Sequence, residues 1–123
     1  MIKYESREVA PVEIPEAKMD IQVTNDHQLT QIALRGEFVY STMPSFVHLI
    51  KKLHGSERYC VDLGKATRID SSGMGALLLL RDLVGEDHTR VVLCNMQPRV
   101  RQTLIKANFH RLFTLSDACK SAA

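Results

Sequence analysis

Hydrophobic and polar residues follow two different periods along the chain, and these periods predict where strands and helices lie. Apolar residues occupy every second position from Met19 to Thr24, which is typical of a half-buried strand. The segment from Leu29 to Arg35 predicts a second strand, which ends at Gly36. Because only a short polar turn separates the two strands, they are expected to form an antiparallel hairpin.

After the hairpin, apolar residues at helical spacing alternate with short apolar runs. The helices are predicted at Met43–Leu53, Ser72–Val84 and Pro98–Ala107, the buried strands at Arg58–Leu63, Thr89–Cys94 and Leu112–Leu115, and two loops at 36–42 and 64–68. Ser41 or Thr42 is expected to cap the first helix. The order β-β-α-β-α-β-α-β implies right-handed crossovers and a mixed, mainly parallel sheet, and therefore an α/β fold.

Residues 1–18 show no clear period, and Pro11 and Pro15 alternate there with acidic and apolar residues. We expect an extended or partly disordered leader, followed by one domain at 19–123. Residues 1–20 have a net charge of −2, and the rest of the chain has about +4. Docking as an edge segment is the alternative for the leader, through its apolar residues Ile2, Tyr4, Val9, Val12 and Ile14.

Composition limits the class of protein more than it identifies a function. At 123 residues and a net charge of +2, the chain shows no concentrated basic face for nucleic acid. No apolar stretch approaches the roughly 20 residues that cross a bilayer, and the first residues do not match a secretory signal. Cys60, Cys94 and Cys119 are far apart, predict no disulfide framework and favour a reducing cytoplasm.

An acid, two serines and two glycines lie between a predicted strand and a predicted helix. Their sequence is Asp70-Ser71-Ser72-Gly73-Met74-Gly75. The amides at a helix N-terminus have a partial positive charge that favours an anion, and Ser71 or Ser72 is expected to cap the helix. A phosphoryl group on either serine would add about −1.5 to −2 charges and repel a partner shaped for the neutral form. These residues alone leave both a simple cap and a phosphorylation switch open.

Three segments stand in a recognisable order along the chain. They are Arg35-Gly36-Glu37, Val61-Asp62-Leu63 and Ile69-Asp70-Ser71-Ser72-Gly73-Met74-Gly75. In this order they resemble the STAS domain, as found in bacterial anti-sigma factor antagonists, and the resemblance covers roughly residues 19–116. It implies a STAS-like single domain whose helices pack on one face of the sheet. It also implies that Ser71 is the phosphoacceptor, with Asp70 beside it and Ser72 helping to cap the helix.

The resemblance also implies a cycle of partner exchange. In the family, a cognate serine kinase, often the anti-sigma factor itself, phosphorylates the first serine of the motif, and a phosphatase reverses this. The unphosphorylated form binds the anti-sigma factor and so frees a sigma factor. The residues expected to contact the partner are Asp70, Ser72, Gly73, Met74, Phe38, Val39 and Tyr40.

One position departs from the family's pattern. Members with this switch often have an acidic residue two places after the glutamate of the Gly-Glu pair, and the residue two places after Glu37 is Val39. This departure disfavours a nucleotide contact and the usual kinase partner. Phe38, Val39 and Tyr40 are expected either to form an apolar contact patch beside Ser71 or to cover the end of the sheet.

No pattern of residues predicts an enzyme, a metal site or a cofactor. The five histidines lack ligand spacing, no G-x-S-x-G elbow surrounds Ser71, and no Walker loop is present. The expected partners are an anti-sigma factor or kinase and a phosphatase, without direct nucleic-acid contact or membrane insertion. Two alternatives stay open: an accessory subunit of a membrane lipid-transport complex, and an adaptor in a non-sigma two-component pathway. The oligomeric state is not predicted.

Overall fold

One mixed sheet and the helices that connect its strands make up the fold in the computed structural model, which describes residues 19–25, 27–53, 55–85 and 90–117. The strands are β1 (Met19–Asn25), β2 (Leu29–Phe38), β3 (Arg58–Ile69), β4 (Val91–Cys94) and β5 (Thr114–Ser116), and the helices are α1 (Met43–Ile50), α2 (Ser71–Val84) and α3 (Pro98–Lys106). Short 3-10 turns lie at Tyr40–Thr42 and Phe109–Arg111. The leader predicted at 1–18 lies outside the described residues.

The strands lie in sequence order across the sheet. β1 pairs with β2 in antiparallel orientation, and β2 to β5 pair in parallel, which confirms the predicted hairpin and the mixed, mainly parallel sheet. Because each parallel crossover moves one strand in the same direction, right-handed crossovers place α1, α2 and α3 on one face. Buried side chains of all three helices share one core with that face, among them Phe46, Leu77 and Leu104.

The middle strands β2 and β3 are longer than predicted, and their extra length forms the edge where the motif lies. The sequence predicts loops at both places, 36–42 and 64–68. Pairing instead continues, with Gly36 opposite Ala66 and Phe38 opposite Ile69, past irregularities in the register. Gly36 has a φ of 104°, a conformation that costs glycine little, so β2 bends and then resumes pairing. Because the register is irregular here, the alternation of apolar and polar residues does not predict that the strands continue.

The helix boundaries differ from the predictions by a few residues. α2 begins at Ser71, one residue early, and α1 ends at Ile50, before the predicted end. α3 ends at Lys106, because Asn108 adopts a left-handed conformation with a φ of 63° that a helix does not continue through. The predicted helix includes Ala107, but this residue lies just beyond the end of α3 and is exposed.

Candidate functional site

A single carboxylate organises the start of α2. Asp70 is the N-cap residue in extended conformation, and its Oδ1 accepts hydrogen bonds from the amides of Ser72 at 2.9 Å and Gly73 at 3.0 Å. The prediction that Ser71 or Ser72 caps the helix is therefore wrong. Asp70 precedes the first helical residue, and from that position a short acidic side chain reaches both amides. This cap leaves the serine hydroxyls available for other roles.

The second oxygen of Asp70 connects α2 to the turn that follows β2. Oδ2 accepts a hydrogen bond from the Tyr40 amide at 3.1 Å. Burial acts to raise the pKa of Asp70, but the amide donors of Gly73, Tyr40 and Ser72, together with the nearby Arg68 charge, outweigh burial and hold the pKa below its ordinary value. Asp70 therefore stays ionised at neutral pH and holds two segments side by side.

The two glycines of the motif have opposite surroundings. A Cβ on Gly73 would overlap the carbonyl oxygen of Phe38 and touch its ring and the Ile69 side chain. α2 can therefore approach the end of β2 only because this position has no side chain. A Cβ on Gly75 would meet no atom within 4 Å, so packing does not explain why that position is a glycine.

Ser71 is the first residue of α2, and its side chain is exposed. Within the described part of the chain, no hydrogen bond involves its hydroxyl. Ser72, by contrast, is half-buried. A serine hydroxyl at a helix N-terminus can accept a phosphoryl group, and the helix end stabilises the charge that this adds. Of the two serines, Ser71 has the accessible position.

An exposed surface with apolar side chains surrounds Ser71. Met74, Gly75 and Leu78 follow it at spacings of three, four and seven residues, which places them on the same side of α2. Leu78 is 38% exposed, and Tyr40, next to the Asp70 carboxylate, is 76% exposed. We call these residues the Ser71 surface: Tyr40, Ser71, Met74, Gly75 and Leu78. Sequence reasoning missed Gly75 and Leu78, although their spacing from Ser71 could have identified them.

Two of the three residues in the predicted apolar patch are buried. Phe38 is 0% exposed and packs edge-on against Phe46, with ring centroids 4.8 Å apart, and Val39 is 4% exposed. A contact patch made of Phe38, Val39 and Tyr40 is therefore wrong for the first two. The added length of β2 turns Phe38 into the core, and the amide of Val39 donates to the Thr42 hydroxyl in the following turn. Phe38 and Val39 therefore cover the end of the sheet, and of the three residues only Tyr40 is exposed at the surface.

Other kinds of site have little support among the described residues. No group of three or more histidine, cysteine, aspartate or glutamate side chains in the described ranges could hold a metal ion. None of the helices that the structure describes has the length and apolar character to cross a membrane.

Comparison with known proteins identifies the family. The model of the STAS domain matches residues 18–122 of this chain. A STAS-domain containing protein of Pseudomonas aeruginosa is 38% identical over 92 residues, which are 74% of this chain and 91% of that protein. The sequence resemblance to the STAS domain is thus confirmed.

Solved structures match the fold over most of the chain. An anti-sigma factor antagonist from Mycobacterium paratuberculosis matches with a TM-score of 0.71 and 17% identity, over 87% of this chain and 92% of its own. SpoIIAA of Bacillus, solved in its phosphorylated form, matches with a TM-score of 0.64 and 18% identity, over 82% and 93%. At such identities the likeness shows the fold alone.

Proposed function

The chain belongs to the STAS domain family, and from this premise we propose that it is a regulatory binding protein switched by phosphorylation of Ser71. In its unphosphorylated form it binds an anti-sigma factor that is also a serine kinase, and so frees a sigma factor in the cytoplasm. Phosphorylation releases the partner, and a phosphatase restores binding. The protein is the substrate of both enzymes and performs no catalysis of its own.

The placement of Ser71 is the observation that supports this proposal best. The side chain is exposed, and the fold makes no use of its hydroxyl within the described residues. Asp70 caps the helix in its place, so that a phosphoryl group on Ser71 removes no capping bond. Ser72 is half-buried and is the poorer substrate for a kinase.

Electrostatics allow the fold to exist in both forms. A phosphoryl group brings about −1.5 to −2 charges, and the N-terminus of α2 stabilises such a charge by about 0.3–1 kcal/mol. The ionised Asp70 next to it opposes this gain. The two effects are similar in size, so phosphorylation changes the folding free energy little.

Binding responds much more strongly than folding. The Ser71 surface combines a small hydroxyl with the exposed side chains of Tyr40 and Leu78 and the half-buried Met74, and a partner that covers it removes water from the centre. A dianion at that centre loses its hydration, and water no longer screens its repulsion from the ionised Asp70. Together these effects cost several kcal/mol. Since about 1.4 kcal/mol is a tenfold change in affinity, this cost suffices to release the partner.

The test has two parts, beginning with the protein purified from its own cells in growth and in stress. Phosphosite mapping is expected to find one phosphoryl group on Ser71, with an occupancy that changes between the conditions. The protein and its co-purifying partner are then mixed in a binding titration. Ser71→Ala should bind as the unphosphorylated protein does, and Ser71→Asp should bind at least about tenfold more weakly.

Ser72→Ala is the matched control, because it removes the neighbouring hydroxyl and leaves both Ser71 and the Asp70 cap in place; its binding should still be lost when the protein is phosphorylated. Equal binding by the Ser71→Ala and Ser71→Asp variants would contradict the switch. An absence of phosphate in every condition, with a transporter ATPase as the co-purifying partner, would favour an accessory subunit of a transport complex instead.

A further inference from the structure

Strand β3 extends beyond its neighbour β4. Pairing between these two strands ends where Asp62 lies opposite Cys94, whereas β3 continues to Ile69 and stays paired with β2. After β4 the chain changes direction at Asn95, which has a left-handed φ of 62°. Among the residues that the structure describes, the last part of β3 therefore has a neighbouring strand on one side only. We call residues 65–69 the β3 edge.

The β3 edge has unpaired backbone groups on the side where β4 would continue. Gln97 reaches the start of this side, where its Nε2 donates a hydrogen bond to the carbonyl oxygen of Gly64 at 2.9 Å. Beyond Gly64, no described residue forms a backbone hydrogen bond with the β3 edge from this side. Lys65, Thr67 and Arg68 are exposed, so the segment is open to solvent. Exposed, unpaired amides and carbonyls of a strand can bind a further strand.

Charge restricts which strand can be added. The β3 edge contains Lys65 and Arg68 and no acidic residue, and neither cation forms an ion pair with another described residue. On β2, Arg35 lies opposite Lys65 and Glu37 lies opposite Arg68, so the two strands together keep a net positive charge. Like charges oppose pairing with the same edge of a second copy, whereas they favour a strand that has acidic side chains.

The β3 edge is continuous with the Ser71 surface. Ile69 precedes Ser71 by two residues, which span about 7 Å of extended chain. The amide of Tyr40, another residue of the Ser71 surface, is bonded to the Asp70 carboxylate between them. A protein that covers Ser71 therefore comes within reach of the unpaired backbone groups.

We propose that the β3 edge binds an extended, acidic segment of the partner as an additional strand, next to the contact on the Ser71 surface. Backbone hydrogen bonds hold the segment, and Lys65 and Arg68 select its acidic side chains. A phosphoryl group on Ser71 lies close to this segment and repels it, so the added strand is released together with the rest of the partner. This inference rests on the proposed function, because it assigns a second contact to the same partner.

A synthetic peptide tests the β3 edge without the partner. The probe is a short peptide in which glutamate and valine alternate, and the control peptide has lysine in place of each glutamate. Both are titrated into the full-length, isotope-labelled protein, and NMR follows the backbone amides. The acidic peptide should shift the amides of residues 65–69 at a concentration at least about tenfold lower than the control peptide needs. Equal effects of the two peptides, or shifts confined to residues outside 65–69, would overturn the proposal.

Charge reversal tests the β3 edge in the complex with the co-purifying partner. The titration uses a Ser71→Ala background, which phosphorylation of Ser71 cannot affect. Lys65→Glu with Arg68→Glu should weaken binding at least about tenfold. The matched control is Lys52→Glu with Arg58→Glu, which makes the same change of charge at two exposed positions near the start of β3 and should leave binding unchanged. Equal binding by the two double variants would contradict the added strand.

Hydrogen exchange separates a failure of this inference from a failure of the proposed function, and it needs no substitution in the β3 edge. In the complex of the Ser71→Ala protein, the outward amides of residues 65–69 should exchange at least about tenfold more slowly than in the free protein. Protection of the Ser71 surface alone would overturn the added strand and leave the switch intact. Equal binding by Ser71→Ala and Ser71→Asp would contradict the switch, whereas protection of residues 65–69 would then still establish the added strand.

Discussion

The first turn of α2 has two sides that obey different requirements. On the inner side, Asp70 accepts three backbone hydrogen bonds, and Gly73 fits against Phe38 with no space for a methyl group. On the outer side, Ser71 is exposed and Gly75 has open space around it. Within this short motif, Asp70 and Gly73 stabilise the start of the helix, whereas Ser71 and Gly75 are exposed to solvent.

The other helices lack such an arrangement. α1 starts after Thr42 and α3 after Gln97, both with a proline in the first turn and neither with a side-chain capping bond. α2 alone among the described helices begins with an acidic cap, and that cap also binds the neighbouring turn. The chain therefore fixes one helix start more firmly than the others, at the place where Ser71 is exposed to solvent.

The largest effect is expected on the inner side, from Gly73→Ala. The new methyl group would overlap the Phe38 carbonyl oxygen, a backbone atom that cannot rotate away. We expect the free energy of unfolding to fall by about 2–3 kcal/mol, the upper range for overpacking. Urea unfolding followed by circular dichroism measures this. A loss smaller than about 0.5 kcal/mol would mean that α2 can move off β2 without penalty.

Removal of the cap should have the next largest effect. Asp70→Ala leaves the Ser72, Gly73 and Tyr40 amides without their acceptor, which should cost about 1–2 kcal/mol of unfolding free energy. Asp70→Asn keeps one oxygen acceptor and should lose less than the alanine variant. Equal losses in the two variants, measured by urea unfolding, would rule out capping as the role of this side chain.

The difference in unfolding free energy between the wild type and Asp70→Asn is expected to depend on pH. Because the pKa of Asp70 is lowered by folding, its contribution to stability is present above its ordinary pKa of 3.8 and is lost as the pH falls through the lowered value. The difference in unfolding free energy between the wild type and Asp70→Asn should therefore shrink as the pH is reduced below about 4. A difference that stays constant down to low pH would show that the charge of Asp70 does not matter.

On the outer side, Gly75→Ala should act in the opposite direction to Gly73→Ala. The added methyl group enters open space, and alanine favours a helix over glycine by about 0.5–1 kcal/mol. We expect a gain in unfolding free energy of that size, measured in the same urea series. Partner binding should weaken, since the methyl group stands one helical turn from Ser71. A loss of stability would place Gly75 on the inner side.

The smallest effect on folding is expected from Ser71→Asp. The helix N-terminus favours the added charge and Asp70 opposes it, so the unfolding free energy should change by less than about 0.5 kcal/mol. This near-constancy would separate the effect on folding from the loss of binding expected for the same variant. If thermal unfolding showed a large destabilisation, weaker partner binding would no longer indicate a switch.

Local patterns predicted the order of elements correctly, and they placed the motif Asp70–Gly75 at the start of a helix. The alternation from Met19 to Thr24, the helical spacing around Phe46 and the motif at the end of β3 each depend on residues close in sequence. Local chemistry did not decide which side chain caps α2, because both Asp70 and the serines are good capping residues. The positions of the backbone amides decide that choice.

The burial of Phe38 and Val39 could not be predicted from the sequence for a related reason. Both residues follow Gly36, where the strand period is interrupted, and a run of apolar residues in a predicted loop fits a surface patch as well as a core. Pairing of Phe38 with Ile69, thirty-one residues later, makes the segment a strand and turns its side chain inward. No pattern among neighbouring residues predicts that pairing.

The alternation of strands and helices, the hairpin and the position of the serine motif at a helix start all follow from the amino-acid sequence, because period and helix-start chemistry act over a few residues. Three features depend on the tertiary structure: how far β2 and β3 pair, which motif glycine lies against the backbone of Phe38, and the contact of Cys60 on β3 with Cys94 on β4. These contacts join segments that are distant in sequence, and their energy depends on distances that exist only once the sheet has formed.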